Sequence, residues 1–327
     1  MPAAYSELTK HSVVPESLRI HVSEPPDKFI EAIKENGCVI IKNFATLDQI
    51  RSANDETREW LDNDKPWKGA LFPPETRRCT RLVQRSPTVR NHFLIHPLVK
   101  QLTAAFVDKT TKNWYGEKLH VHTSKAQLDQ ALSMEIGPGA AAQRLHRDDK
   151  NFHGEHTDRT QTGYRTGDDT AIGFLIAGVD VTADNGATMV IPGSHLWGDD
   201  RAPKDHEAIL ATMNRGDAVA FLGSLYHAGG ANTTTDDRRT IHSLFFNRGY
   251  YKPQENTYLS TTVEEVLSWP EEIQDVMGYN ISSPTVGHVD FMPPVLYFKG
   301  LGDLDHIPDL DPSEAAMKRA ETVVAVA

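Results

Sequence analysis

Apolar positions along this chain follow a helical period near its start and a strand period through its middle. Over 27–36, Phe29, Ile30 and Ile33 share one helical face and Gly37 follows as a stop, which predicts a helix. The next run, CVIIKN over 38–43, reads as a short buried strand. Thr46 and Gln49 have the spacing of a capping box, opening a helix that runs to about Asp62 through Ile50, Trp60 and Leu61. Pro97 suits the first turn of another helix, ending near Thr110, with Leu98, Leu102, Phe106 and Val107 as its stripe. The stretches 119–122, 131–136, 171–181, 189–191, 218–222 and 240–246 are apolar or alternating, and Gly, Asn, Asp and Pro separate them as turns separate strands. Two short helices over 263–269 and 271–277 follow, then an amphipathic one over 312–323 capped by Asp311.

Helices flanking many short strands predict an α+β fold that is mainly β, whether sandwich, jelly roll or barrel. No repeat with a period of roughly 20 to 50 residues is visible, and no low-complexity linker divides the chain. Residues 1–327 are therefore expected to form one domain, with a polar arm lacking regular structure over 1–26 and a helix-bearing tail over 297–327. Two stretches break the periodicity. The first, 65–87, holds Trp67, Phe72 and the cluster Arg77, Arg78, Arg81 and Arg85, and reads either as a loop bordering a pocket or as a solvated basic loop. The second, 151–169, is polar. Because binding residues concentrate on loops held by a rigid scaffold, substrate choice is expected in 65–86 and 151–169, with Trp67 and Phe72 supplying apolar contact.

Composition narrows the class. Hydrophobic residues make up 39% and charged residues 24%, as in ordinary soluble proteins, and no apolar run is long enough to span a membrane. A formal charge of −11 without clustered phosphate-binding cations argues against a nucleic-acid partner. Cys38 and Cys79 are too few for a disulfide scaffold and too distant for a CxxC site, so both read as thiols in a reducing compartment. The N-terminal residues lack a secretory signal pattern and the C-terminal VVAVA is not a peroxisomal address, which leaves the cytoplasm as the expected location.

The candidate chemistry centres on GPGAAAQRLHRDDK, over 137–150. His146 and Asp148 stand two apart, so on a strand they project to the same side and can converge on one metal ion. A His and a carboxylate suit non-haem Fe(II) once a second His joins them and other positions stay open. His227, in GDAVAFLGSLYHAGG, supplies it where a buried strand gives way to a turn. His120 with His122, and His153 with His156, also have ligand-like spacing, but neither pair has a Gly-rich turn beside it, and packing or solvation accounts for them. His195, in PGSH, is assigned to stabilising its turn.

The series continues with Asn185-Gly186-Ala187-Thr188, Pro192-Gly193-Ser194-His195, Gly216-Asp217, Asn232 and Arg238. With these motifs the chain, over roughly 31–296, resembles the phytanoyl-CoA dioxygenase family of Fe(II)/2-oxoglutarate oxygenases. The wording PGAAAQRLHRDD and NGATMVIPGSHLW is most similar to fungal members that tailor natural products. The resemblance implies a double-stranded β-helix, a jelly-roll core of the cupin type, with N-terminal and C-terminal helices around it. It implies iron on His146, Asp148 and His227, with 2-oxoglutarate and O2 as cosubstrates and ascorbate as reductant. Arg238, at the family's spacing beyond the distal His, would grip the cosubstrate carboxylate, aided by the Gln143 amide and the Thr188 hydroxyl. Arg239 beside it faces the opposite way, and neither face of this segment is clearly apolar, so the family spacing alone selects Arg238. The carboxylate of Asp148 favours oxygen transfer over halogenation. The implied activity is oxidation of a small molecule, a terpenoid, alkaloid or polyketide, by hydroxylation, desaturation, rearrangement or endoperoxide formation, and the implied assembly is a homodimer. A fatty acyl-CoA 2-hydroxylase and a non-catalytic cupin-like ligand-binding protein are the alternatives.

Overall fold

In the computed structural model, which describes residues 12–69 and 72–301, the strand-forming runs assemble into a large sheet, a small sheet and a separate ribbon. In chain order the strands are β1 (Arg19–His21), β2 (Cys38–Lys42), β3 (Thr76–Cys79), β4 (Lys109–Tyr115), β5 (Lys118–Ser124), β6 (Ala126–Ile136), β7 (Ala171–Ala177), β8 (Thr188–Val190), β9 (Ile209–Ala211), β10 (Ala218–Leu222), β11 (His227–Ala228) and β12 (Arg239–Arg248). The helices are α1 (Pro26–Asn36), α2 (Leu47–Asp62), α3 (Leu82–Arg85), α4 (Pro97–Phe106), α5 (Thr257–Ser260), α6 (Val263–Ser268), α7 (Glu271–Val276) and α8 (Pro294–Phe298). Seven strands form the large sheet in the order β1-β2-β10-β7-β12-β6-β3, and three form the small one in the order β11-β8-β9. Strands β4 and β5 pair with each other as the ribbon.

Local sequence accounts for most boundaries. Gly37 ends α1 at φ 77°, in the left-handed region, and a Cβ there would meet the His195 ring at 2.6 Å. The capping box of α2 closes as its spacing predicts, with Gln49 N donating to Thr46 Oγ1 at 3.2 Å and Thr46 N to Gln49 Oε1 at 2.9 Å. Helix α4 stops at Phe106, short of Thr110, because the β-branched pair Thr110-Thr111 belongs to β4. The arm expected to lack regular structure carries β1, which covers the edge of β2 in parallel register. The irregular stretch over 65–87 contains β3 and α3, and β9 also escaped the pattern, each being only three or four residues long. The helix expected over 312–323 lies outside the described residues.

The large sheet is covered on both faces, which explains why β7 (AIGFLIA) and β10 (AVAFL) are apolar throughout rather than alternating. One face, through Val39, Ile41, Phe174, Ile176, Leu244 and Phe246, packs on Phe29, Ile33, Ile50, Leu102 and Phe106 of the helices. The other, through Ile40, Leu175, Phe221 and Ile241, faces Met189, Val190 and Leu210 of the small sheet. Between the two sheets lies a cavity of about 960 Å³. Among the described residues no helix is long and apolar enough to cross a membrane.

Candidate metal centre

His146 and His227 meet across an isolated antiparallel bridge, each donating its backbone N–H to the other's carbonyl at 2.9 and 3.0 Å. The bridge brings their ring centroids to 4.6 Å. Gly230 makes the close approach of this segment feasible, since a Cβ there would lie 2.3 Å from the Ala187 carbonyl oxygen. Asp148 completes the group, with Oδ1 3.5 Å from His146 Nε2 and Oδ2 3.5 Å from His227 Nε2. Among the described residues this is the one cluster of three or more His, Cys, Asp or Glu side chains whose donor atoms lie within 4.8 Å of one another.

Both imidazoles are oriented for ligation. His146 Nδ1 lies 2.8 Å from the Arg144 carbonyl and His227 Nδ1 3.1 Å from that of Leu225, so each Nδ1 carries the proton and each Nε2 turns its lone pair toward Asp148. Burial pushes His227 below the ordinary histidine range, and Asp148 offsets only part of this. Burial alone would raise the Asp148 carboxyl, but the positive charge that His227 and His146 carry when protonated outweighs it and holds the carboxyl below the usual carboxylate range. Although burial lowers His146, its contact with Asp148 lifts it above the ordinary histidine range, so in the absence of metal a proton takes the place between them. A neutral imidazole and a charged carboxylate are the forms that bind a metal. Two His nitrogens and one carboxylate are the donor set of non-haem iron(II) oxygenases.

The arginine pair requires a correction. Strand β12 begins at Arg239, and alternation sends Arg239, Ile241 and Phe245 into the cavity while Thr240, His242, Leu244 and Phe246 face the helices. Arg238 precedes the strand and points away from the cavity, with Nη1 3.7 Å from Glu135 Oε2, a carboxylate already engaged by Arg58 and Arg77. Arg239 is 3% exposed. Among the described residues its guanidinium has a single polar contact, Thr188 Oγ1 at 3.5 Å, and its Nε has none. Burial draws this cation down to about 10. A desolvated guanidinium with no carboxylate beside it is the feature that a dianionic cosubstrate would complete.

The structure brings the remaining expected site residues into the same cavity. Thr188 opens β8 and is buried beside Arg239. Gln143 Oε1 accepts from Gly229 N at 2.9 Å, which leaves its amide NH2 as a donor. Trp67 and Phe72 stand at the outer wall with ring centroids 6.0 Å apart, and the Arg78 guanidinium lies against both. Of the expected loop over 151–169, only Asn151 lines the cavity. The inner wall that pattern reading missed comes from strands, through Gln130, Leu132 and Met134 of β6 and Ile241 and Phe245 of β12. Alternation along β6 was the signal for it. His120 and His122 lie on the ribbon, and His156 pairs with Asp149 at 2.9 Å, so neither competing pair joins the cluster. His195 Nε2 lies 3.0 Å from the Lys34 carbonyl, tying its turn to α1.

The sequence matches the family model of phytanoyl-CoA dioxygenase (PhyH) over residues 33–240. The uncharacterized protein YJR154W of Saccharomyces cerevisiae is 32% identical over 82% of this chain and 79% of its own. Dioxygenase peniF of Penicillium patulum is 30% identical over 79% of this chain and 84% of its own, and dioxygenase swnH1 of Arthroderma benhamiae is 29% identical over 88% and 93%. Among solved structures, the non-heme alpha ketoglutarate dependent epimerase SnoN from nogalamycin biosynthesis is similar at a TM-score of 0.50 and 18% identity, covering 72% of this chain and 89% of its own. HygX from Streptomyces hygroscopicus, solved with nickel, 2-oxoglutarate and hygromycin B bound, reaches 0.51 at 13% identity, covering 70% and 89%. At these identities the structural likeness speaks to the fold.

Proposed function

The chain belongs to the phytanoyl-CoA dioxygenase family, and on that premise we propose that it couples oxidative decarboxylation of 2-oxoglutarate to oxidation of an unactivated C–H bond in a small organic molecule. One atom of O2 enters succinate, released with carbon dioxide, and the other enters the substrate, so hydroxylation balances without a further reductant. The observation that carries this reading is the meeting, in one cavity, of a two-His, one-carboxylate donor set and a buried guanidinium without a carboxylate partner.

Bound iron(II) supplies open positions at which a 2-oxo acid and dioxygen come together. His146 and His227 would hold it through Nε2, their tautomers fixed by the Arg144 and Leu225 carbonyls. Asp148 would give the third bond. Arg239 would take the far carboxylate of 2-oxoglutarate through its planar fork, with the Thr188 hydroxyl beside it and the Gln143 amide as a further donor. Leu132, Met134, Ile241 and Phe245 would keep water from the reacting carbon.

We read the two facing sheets as the double-stranded β-helix of this family, a reading supported by the likeness in fold to SnoN and HygX. The substrate is read as a natural product, terpenoid, alkaloid or polyketide in kind. A cavity of about 960 Å³ has room for such a molecule beside the cosubstrate, and Trp60, Trp67 and Phe72 give it an aromatic outer wall. Of the neighbouring arginines, Arg77 is engaged by Asp62 and Glu135 and Arg78 by Asp64, which weighs against their serving a coenzyme A phosphate.

Anaerobic protein mixed with Fe(II) and 2-oxoglutarate is expected to develop a weak visible charge-transfer band. His227→Ala removes it and His120→Ala leaves it. A band that survives the first substitution and is lost in the second contradicts the assignment.

A further inference from the structure

Arg147, the central residue of the His146-Arg147-Asp148 triplet, has extended backbone between the bridge residue His146 and the 3-10 turn that Asp148 opens, so its side chain leaves the chain on the side opposite to the two candidate ligands. That side chain is fully buried. Its Nη1 donates to Asp199 Oδ1 at 3.0 Å, and its Nη2 donates to the carbonyls of Ser194 and Trp197 at 2.9 and 2.8 Å. The guanidinium carbon lies 4.3 Å from the ring centroid of Tyr226, the residue before His227. Tyr226 N in turn donates to Ser194 Oγ at 2.9 Å. Asp199 also accepts from Lys150 Nζ at 2.7 Å and from His156 N at 3.1 Å. One guanidinium thus joins the segment carrying His146 and Asp148, the turn over 194–197, and the segment carrying His227.

We propose that Arg147, anchored by Asp199, is a positioning residue that sets the separation of the two ligand-bearing segments and thereby the affinity of the metal centre. The proposal rests on the metal reading above. His146 and His227 sit on different elements held together by the bridge and by the flanking backbone hydrogen bonds Gln143 N to Gly229 O and Asp149 N to Gly223 O, at 2.9 and 3.2 Å. The guanidinium adds a side-chain tie that reaches a third element, the turn over 194–197. Planar, forked donation to three acceptors supplies it, and a lysine, with its compact charge on a flexible stem, cannot reproduce that geometry. Groups that hold metal ligands in place typically change metal affinity by about 10- to 100-fold when substituted.

Cobalt(II), which does not oxidise readily, is the probe, and its binding to metal-free protein is followed by visible absorption together with calorimetry. Arg147→Lys is expected to weaken binding by about 10- to 100-fold and Asp199→Asn by about tenfold. The double substitution is expected to be no weaker than Arg147→Lys alone, because both act through one tie. Thermal unfolding of the metal-free proteins separates affinity from stability, and Asp199→Asn, isosteric and partly exposed, keeps the test available if Arg147→Lys folds poorly. Cobalt affinities of Asp199→Asn and Arg147→Lys within twofold of the unsubstituted protein overturn the proposal, as does an additive double substitution. Absence of cobalt binding by the unsubstituted protein, or binding that survives His227→Ala, overturns the metal reading itself.

Discussion

Strand β12 buries polar groups on both of its faces, and His242 on one and Arg239 on the other are treated differently. Toward the helices, His242 is fully buried, with one ring nitrogen 2.7 Å from Ser133 Oγ and the other 2.9 Å from Asn54 Oδ1. Toward the small sheet, Arg239 is almost as buried and has only the long Thr188 contact. Leaving a buried charge without a partner costs far more than satisfying a neutral ring, so a fold retains such a charge where something else completes it. His242 is finished by the chain itself, whereas Arg239 is not. On the proposed function, the contrast sets architecture against binding on one strand, a few residues apart.

The largest expected effect tests that contrast directly. Arg239→Ala should raise the concentration of 2-oxoglutarate needed for turnover by about two to three and a half decades, because losing the partner of a buried carboxylate costs about 3 to 5 kcal/mol. Arg238→Ala, which loses a half-exposed ion pair with Glu135, should change it by less than about threefold, on the order of 0.5 kcal/mol. Equal effects in steady-state kinetics would erase the distinction between the two arginines.

His242→Ala should do the opposite, lowering stability by about 1 to 3 kcal/mol in urea unfolding by leaving Ser133 and Asn54 without their partner, while the 2-oxoglutarate requirement stays put. Burial pushes His242 down to about 4, and His195 likewise. In the unfolded chain these rings take up protons near pH 6.5, so the unfolded state binds more protons between about pH 6.5 and 4, and stability falls as pH falls through that window. The window should flatten in His242→Ala. A slope that is unchanged there would mean the ring is already charged in the fold.

The smallest effects belong to the outer wall. Trp67→Ala or Phe72→Ala should shift the substrate KM or product distribution by a few-fold, on the order of 1 kcal/mol, while substrate-free conversion of 2-oxoglutarate to succinate continues. If succinate formation falls in step with product, these rings support the metal centre instead.

Spacing made the cluster legible because residues two apart in extended backbone share a side, which holds for His146 and Asp148 even though a bridge and a 3-10 turn stand where a strand was expected, and because a buried strand leads visibly to His227. The capped helix α2 and the Gly37 stop were legible for the same reason: their signals are local. Arg239 was not. Its strand is buried on both faces, with Ser243 and His242 as hidden as Ile241, so polarity gave no phase, and a spacing rule placed the inward arginine one residue early. The short strands β1, β3 and β9 owe their pairing to distant partners, which no window of three or four residues can display. The loop over 151–169 was expected at the pocket because it is a long irregular stretch and binding residues concentrate on loops, yet part of its polarity is used internally, as in the Asp149–His156 pair and the His156 N contact with Asp199.

The most direct measurement is diffraction from anaerobic crystals grown with Fe(II) and 2-oxoglutarate, recorded on both sides of the iron absorption edge. The account predicts one anomalous peak within bonding distance of His146 Nε2, His227 Nε2 and the Asp148 carboxylate, and a five-carbon diacid whose far carboxylate rests on the Arg239 guanidinium. Iron on the His120 and His122 ribbon, or a cosubstrate carboxylate on Arg238, would contradict it.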